Sequence, residues 1–195
     1  MIRMDGGDAA QVEQVLGGDQ DAFRALAERH SRGLFRLAYR MTGNEQDAEE
    51  VVQEALLRAY RRLDRFESRS NFGTWLYRIG VNCALDLMRK KRPEKTRRQH
   101  AMRDETGMND PLAIAVSTDP GPDRLVLSGE MGRQVHAAMM TLSPVERAAF
   151  VMRHFEGNSI EEIGKILGLG AGATKNSVFR AVQKLRRHLE PLVGQ

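Results

Sequence analysis

The sequence predicts an all-α protein built as two small helical domains joined by a flexible linker. Three observations carry that prediction. Apolar residues recur at three- and four-residue intervals instead of alternating, residues suited to helix capping stand just ahead of the periodic stretches, and the periodicity lapses between Pro93 and Arg124. Of the 195 residues, 41% are hydrophobic but only 6% aromatic, so the cores are small and mostly aliphatic.

Asp19 is placed to cap a helix whose buried stripe is Phe23, Leu26, Ala27, His30, Leu34, Leu37, Ala38 and Met41, with Gly43 as its stop. Asn44 caps the next helix, which runs to Leu63 and buries Ala48, Val51, Val52, Ala55, Leu56 and Ala59. A third helix follows the polar loop of Ser68, Ser70 and Asn71. Its stripe is Phe72, Trp75, Leu76, Ile79, Cys83 and Leu87, and it runs into the basic residues Arg89 to Arg92. The breakers Asn109-Asp110-Pro111 and Asp119-Pro120-Gly121-Pro122 then mark a linker longer than most connections inside a compact domain. Beyond it, Leu127, Met131, Val135, Met139 and Leu142 share one helix face. Ser143-Pro144-Val145-Glu146 places a cap residue, a first-turn proline and a glutamate at capping-box spacing, and Ser159 with Glu162 repeats the arrangement ahead of Ile160, Ile163, Ile166 and Leu167. Gly168 ends that helix. After Leu169-Gly170-Ala171-Gly172, a last helix is expected to bury Val178, Val182, Leu185 and Leu189 and to expose Lys175, Asn176, Phe179, Arg180 and Lys184.

The last two helices and their Gly-containing turn read as a helix-turn-helix, in which the N-terminal end of the second helix goes deepest into the major groove. Lys175, Asn176 and Ser177 occupy that end, with Arg180, Arg186 and Arg187 further along and suited to phosphates. The competing reading is an ordinary amphipathic helix with a solvated basic face. A net charge of +4 and a pI near 9.5 fit a polyanionic partner. The run from Arg89 to Arg98 continues from a helix bearing Trp75, Tyr77, Arg78 and Asn82, and basic side chains beside aromatic ones suit unpaired nucleic acid. Core packing competes with stacking for Trp75, Phe66 and Phe72. The helix from Asn44 carries Asp47, Glu49, Glu50, Gln53 and Glu54 outside its stripe, an acidic surface that DNA would repel and a protein partner would engage. Solvation and helix-dipole complementation account for the same acids without a partner.

Catalytic patterns are lacking: there is no nucleophile elbow, His-Glu-x-x-His pair or phosphate loop, so neither a catalytic residue, a metal site nor a cofactor is expected. The single cysteine, Cys83, rules out an internal disulfide and reads as a small core residue. No apolar run approaches the ~18 residues of a membrane span, and no signal-peptide pattern precedes the first helix, so no membrane insertion and a cytoplasmic location are expected.

Asp47-Ala48-Glu49-Glu50-Val51-Val52-Gln53-Glu54 and Phe72-Gly73-Thr74-Trp75-Leu76-Tyr77-Arg78-Ile79-Gly80-Val81-Asn82 resemble region 2 of bacterial sigma factors. Leu142-Ser143-Pro144-Val145-Glu146-Arg147, Ser159-Ile160-Glu161-Glu162-Ile163-Gly164 and Gly172-Ala173-Thr174-Lys175-Asn176-Ser177-Val178-Phe179-Arg180-Ala181 resemble region 4. Their order and spacing are similar to the extracytoplasmic-function (ECF) group of the sigma-70 family. The pattern departs from that group at Ser177 and Val182, where family members often carry basic residues.

The resemblance implies an N-terminal segment at 1–18, a region 2 domain at 19–98, a linker at 99–124 and a region 4 domain at 125–195. It implies a non-enzymatic initiation factor that binds core RNA polymerase through Asp47, Glu49, Glu50, Gln53 and Glu54. Phe66, Phe72, Trp75, Arg78, Asn82, Arg89 and Lys90 would meet the minus-ten promoter DNA, and Lys175, Asn176, Ser177, Phe179 and Arg180 the minus-thirty-five element. An anti-sigma factor and a role in stress response are further expectations of the resemblance. From the residues alone, a dimeric helix-turn-helix repressor stays open, although it leaves the acidic and aromatic-basic helices unexplained.

Overall fold

The computed structural model describes residues 6–66, 71–91 and 129–193, and the regular elements among them are all helical. They form two helical units. The expected linker and the basic residues from Arg92 to Arg98 lie outside the described residues.

The first unit holds α1 (Gly6–Leu16), α2 (Gln20–Thr42), α3 (Glu45–Arg61), a 3-10 turn (Leu63–Arg65) and α4 (Phe72–Lys91). Asp19 caps α2 by accepting from the amides of Asp21 and Ala22, and Gly43 closes it at φ 87°, a left-handed conformation that favours glycine. Asn44 caps α3 by accepting from Asp47 N at 2.8 Å. The expected stripes of α2 and α3 point inward: Leu26, Leu34, Leu37, Met41, Val51 and Ala55 are buried. Val52 and Leu56 are only half-buried, and Leu63 reaches the core from the 3-10 turn instead of from α3. Helices α2 and α4 approach closely at Gly80, where a methyl group would come within 2.5 Å of Leu34 Cδ1.

Helix α1 occupies the N-terminal stretch in which the apolar periodicity predicts no element. It packs on α2 and on the 3-10 turn. Val12 enters the core, and the buried carboxylate of Asp8 accepts from Arg29 at 2.5 Å and from His30 Nε2 at 2.9 Å.

The second unit holds α5 (Gly129–Met140), α6 (Pro144–His154), α7 (Ile160–Leu167) and α8 (Ala171–Val193). Both capping boxes form. Ser143 Oγ accepts from Glu146 N while the Glu146 carboxylate accepts from Ser143 N, and Ser159 and Glu162 repeat this at the α7 start. Leu127 lies outside the described residues, but Met139 and Leu142 are buried as expected. In α8 the fully buried positions are Thr174 and Ala181, with Leu185 beside them. Val178, Val182 and Leu189 are half-buried, so the inward face is rotated relative to the expected one.

Candidate functional site

In the first unit, α3 turns Ala48, Val51, Ala55 and Ala59 inward, which leaves Glu49, Glu50 and Gln53 exposed. Leu57 and Tyr60 continue that face and are exposed apolar groups, with the Tyr60 ring edge-on to Phe23 at 4.9 Å. Asp47 and Glu54 are half-buried. Glu54 is already engaged: Arg58 Nε donates to its Oε1 at 2.5 Å, while a second Arg58 nitrogen donates to Asp86 on α4 at 3.2 Å. Arg58 therefore ties α3 to α4, a role the spacing does not disclose.

The Cys83 thiol, near Arg58, is pushed up to about 11 by burial, against the opposing pull of the Arg58 charge. It is a neutral core group at physiological pH, which fits the expectation of an inert cysteine.

At the start of α4, Phe72 and Trp75 form a mutually packed aromatic cluster with Phe66, which follows the 3-10 turn; ring centroids are 5.2 Å apart for Phe66–Trp75, 5.7 Å for Phe72–Trp75 and 5.8 Å for Phe66–Phe72. Phe66 and Trp75 are half-buried, whereas Phe72 is 2% exposed and has no ring face open to a base. Two turns beyond Trp75, Asn82 is exposed, and Arg78 between them is half-buried. Exposed Arg89 and Lys90 end the helix, where cations complement the C-terminal dipole. The Asn71 carboxamide oxygen starts the helix by accepting from Gly73 N at 2.8 Å.

In the second unit, α7 and α8 make a tight helix-turn-helix. Gly168 takes φ 69°, Leu169 N donates to Gly164 O at 2.9 Å, and a methyl group on Gly164 would sit 2.8 Å from Leu169 O and 3.1 Å from Thr174 Oγ1. Thr174 is fully buried and its hydroxyl donates to Gly170 O, which fixes the entry into α8. Lys175 is exposed at that end; Asn176, Ser177, Phe179 and Arg180 are half-buried. The Ser177 hydroxyl donates back to Ala173 O at 2.9 Å, so toward a base it offers acceptor capacity.

Lys184, expected to point to solvent, instead reaches across to the α6 capping box and donates to both Glu146 carboxylate oxygens at 2.9 and 2.7 Å. Burial alone would push the Glu146 carboxyl up, but hydrogen bonds from Lys184 and Ser143 outweigh it and hold the group below its ordinary value. The adjacent Arg147, 6% exposed, donates to the carbonyls of Met140 and Leu142 and so braces the α5–α6 corner.

A capped helix-turn-helix with a basic N-terminal end in the second unit, together with a first unit bearing separate acidic and aromatic-basic faces, is the arrangement expected of a DNA-directed transcription protein. Residues 26–94 match the family model for sigma-70 region 2, and residues 132–185 match that for sigma-70 region 4. The chain is 32% identical over 185 residues to the ECF RNA polymerase sigma factor SigW of Bacillus subtilis, covering 93% of this chain and 96% of that protein. It is 34% identical over 187 residues to the ECF RNA polymerase sigma-E factor of Escherichia coli K12, covering 95% and 96% respectively. Among solved structures it is similar to CnrH in complex with the cytosolic domain of CnrY, with 26% identity, a TM-score of 0.60 and coverage of 95% of this chain and 99% of that one. The sigma factor RpoE of Bartonella quintana, solved with the anti-sigma factor NepR, shares the fold at 24% identity and a TM-score of 0.58, covering 86% and 96%. The protein belongs to the sigma-70 family, as a member of its ECF group, a family of non-enzymatic initiation factors. Among the described residues no helix is long and apolar enough to cross a membrane.

Proposed function

We propose that this protein docks on core RNA polymerase through α3, captures the minus-ten element at α4 and reads the minus-thirty-five element with α8. The observation that carries the reading is the separation of chemistry on the first unit: Glu49, Glu50 and Gln53 exposed on α3, and the Phe66–Trp75 ring pair, with Trp75 and Asn82 on α4. An acidic face repels a DNA backbone and suits a protein partner, whereas partly open rings beside an amide and basic groups suit an unpaired base.

Within the docking face, Glu49, Glu50 and Gln53 are the free contacts, flanked by Asp47, while Glu54 acts through Arg58. Phe66, Trp75, Arg78 and Asn82 hold the unpaired strand, with Phe72 packing beneath them and Arg89 and Lys90 neutralising its backbone. A flipped base costs a few kcal/mol in lost stacking, which the strand and polymerase contacts together offset. Lys175, Asn176, Ser177, Phe179 and Arg180 meet the minus-thirty-five duplex. The working units are a region 2 domain at 19–98 and a region 4 domain at 125–195, with the segment 99–124 linking them. The protein acts in the cytoplasm, in a stress response, under an anti-sigma factor. CnrH is solved with the cytosolic domain of CnrY, and RpoE, which shares the fold, with the anti-sigma factor NepR; that last element extends this pairing to the present chain.

The test is transcription by purified core polymerase on a randomised promoter library, with and without the protein. Start sites that arise only with it, downstream of a shared two-part motif, are the expected result. An active polymerase that gains no start sites would refute the reading.

A further inference from the structure

We propose that Asp8 and His30 are positioning residues for the aromatic cluster of Phe66, Phe72 and Trp75, so that helix α1 sets the geometry of strand capture. This inference rests on the proposed role of that cluster in holding the minus-ten strand.

The connection is a continuous run of contacts. Asp8 is 4% exposed and its carboxylate accepts from two neighbouring α2 residues, Arg29 and His30. Because a carboxylate only accepts, His30 Nε2 carries the proton in that bond, which fixes the tautomer and the plane of the ring. The adjoining Cε1–Nδ1 edge of the same ring lies against the first turn of α4. A methyl group on Gly73 would come within 3.0 Å of His30 Cε1 and 3.2 Å of Nδ1, and the His30 and Phe72 rings are 5.4 Å apart. Phe72 in turn packs on both Phe66 and Trp75. Helix α1 also packs on the 3-10 turn Leu63–Arg65, which ends one residue before Phe66. The helix thus supports the cluster from both sides, through the turn beneath Phe66 and through His30 behind Phe72.

A charge-assisted hydrogen bond to a buried carboxylate is strong and directional, and the space at Gly73 leaves the imidazole little room to turn. Removing either partner frees the ring and loosens Phe72. A stacking site then loses affinity without losing any group that touches the base.

The test uses the full chain, alone and in holoenzyme, with His30→Ala, Asp8→Asn and the donor-retaining His30→Gln. The strand probe is a fluorescent single-stranded DNA selected by the unmodified holoenzyme from a randomised pool. Trp75 is the sole tryptophan, so its emission and acrylamide quenching report the cluster directly. His30→Ala and Asp8→Asn are expected to shift Trp75 emission to the red and raise its quenching. Both should weaken strand binding roughly tenfold, equivalent to ~1.4 kcal/mol, and leave polymerase affinity unchanged. His30→Gln restores most of both signals. Should His30→Ala not fold, Asp8→Asn decides, since it keeps the shape while removing the charge and one of the two acceptor oxygens. Unaltered Trp75 emission and strand binding in a folded variant would overturn the inference. Trp75→Ala is the separate control: if it leaves strand binding intact, the capture role of the cluster fails, and the Trp75 emission of the other variants still decides whether α1 positions the cluster.

Discussion

Replacing Lys184 with Met tests whether the second unit depends on an ion pair invisible to helix periodicity. The substitution keeps the aliphatic stem that covers Glu146 and removes the ammonium that donates to both of its oxygens. The Glu146 side chain is 9% exposed and that of Lys184 39%, so the carboxylate is left nearly dry while the lost cation was partly solvated. Stranding a buried charge costs about 3–5 kcal/mol. The Ser143 amide still donates to the carboxylate, and the Lys184 half of the pair was screened by water, which together bring the expected loss to roughly 2 kcal/mol. Two probes separate the units, because Trp75 reports the first alone whereas far-ultraviolet circular dichroism reports both. Urea unfolding of Lys184→Met should move part of the dichroism transition to lower urea and leave the Trp75 transition in place. The sign with pH follows from the Glu146 shift. Its folded pKa is depressed, so its stabilisation is complete above the ordinary carboxylate range and is lost as pH falls through the folded value. The gap between variant and parent should therefore be widest near neutrality and close in acid. An unchanged dichroism transition at neutral pH, or a gap that persists in acid, would refute the ion-pair account.

Gly164→Ala places a methyl group 2.8 Å from a backbone oxygen that cannot swing aside, and should cost roughly 1–3 kcal/mol in the second unit and weaken minus-thirty-five binding, read by gel shift on the promoter duplex. Lys175→Ala with Arg180→Ala should weaken promoter use and lower the salt slope of binding by ~0.9 for each phosphate no longer neutralised, and an unchanged slope would remove α8 from the interface. Glu49→Ala with Gln53→Ala should reduce polymerase affinity on the order of tenfold, and Glu54→Ala by less because Arg58 already occupies that carboxylate, as titration of labelled polymerase would show. The Cys83 thiol, raised to about 11 by burial, should resist iodoacetamide at pH 8 in the folded chain and react on unfolding, as mass spectrometry would record.

What the sequence discloses is what three or four consecutive residues decide. The caps at Asp19, Asn44, Ser143 and Ser159, the closing Gly43 and the inward stripe of α2 are local devices, and each forms where its pattern stands. Helix α1 is hidden because Val12 is its one buried apolar anchor and its decisive bond joins Asp8 to residues 21 and 22 positions away. The inward face of α8 departs from the apolar stripe for a related reason. The close approach at Gly164 admits Thr174, and the small Ala181 takes the buried position two turns on, while the branched Val178 and Val182 stay half-buried. Lys184 reads as a solvated base because nothing local shows that Glu146, 38 residues earlier, faces it. For the site, the exposed acids of α3 are legible as positions off the stripe and Glu54–Arg58 as an i,i+4 pair, but the reach of Arg58 to Asp86, 28 residues on, is not.

The same long-range bonds explain how one small unit presents opposite charges without self-neutralising. Left free, Glu54 on α3 and Asp86 on α4 would extend the acidic face toward the strand-binding helix and repel phosphate. Arg58 satisfies both, and its pKa is raised chiefly by its hydrogen bond to Glu54, the mark of a cation held by its neighbours. With those two acids neutralised, the exposed carboxylates Glu45, Glu49 and Glu50 sit near the start of α3, while the cations Arg89 and Lys90 sit at the end of α4. Exposed charges further apart than about 8–10 Å act independently at physiological salt. Arg58→Met should therefore release both carboxylates, weakening strand binding more at low salt than at high. Polymerase affinity should stay near that of the parent, because Glu49 and Gln53 remain in place. If strand binding proves equally weakened at every salt concentration, Arg58 acts by packing α3 against α4 and not by neutralising the acids between them.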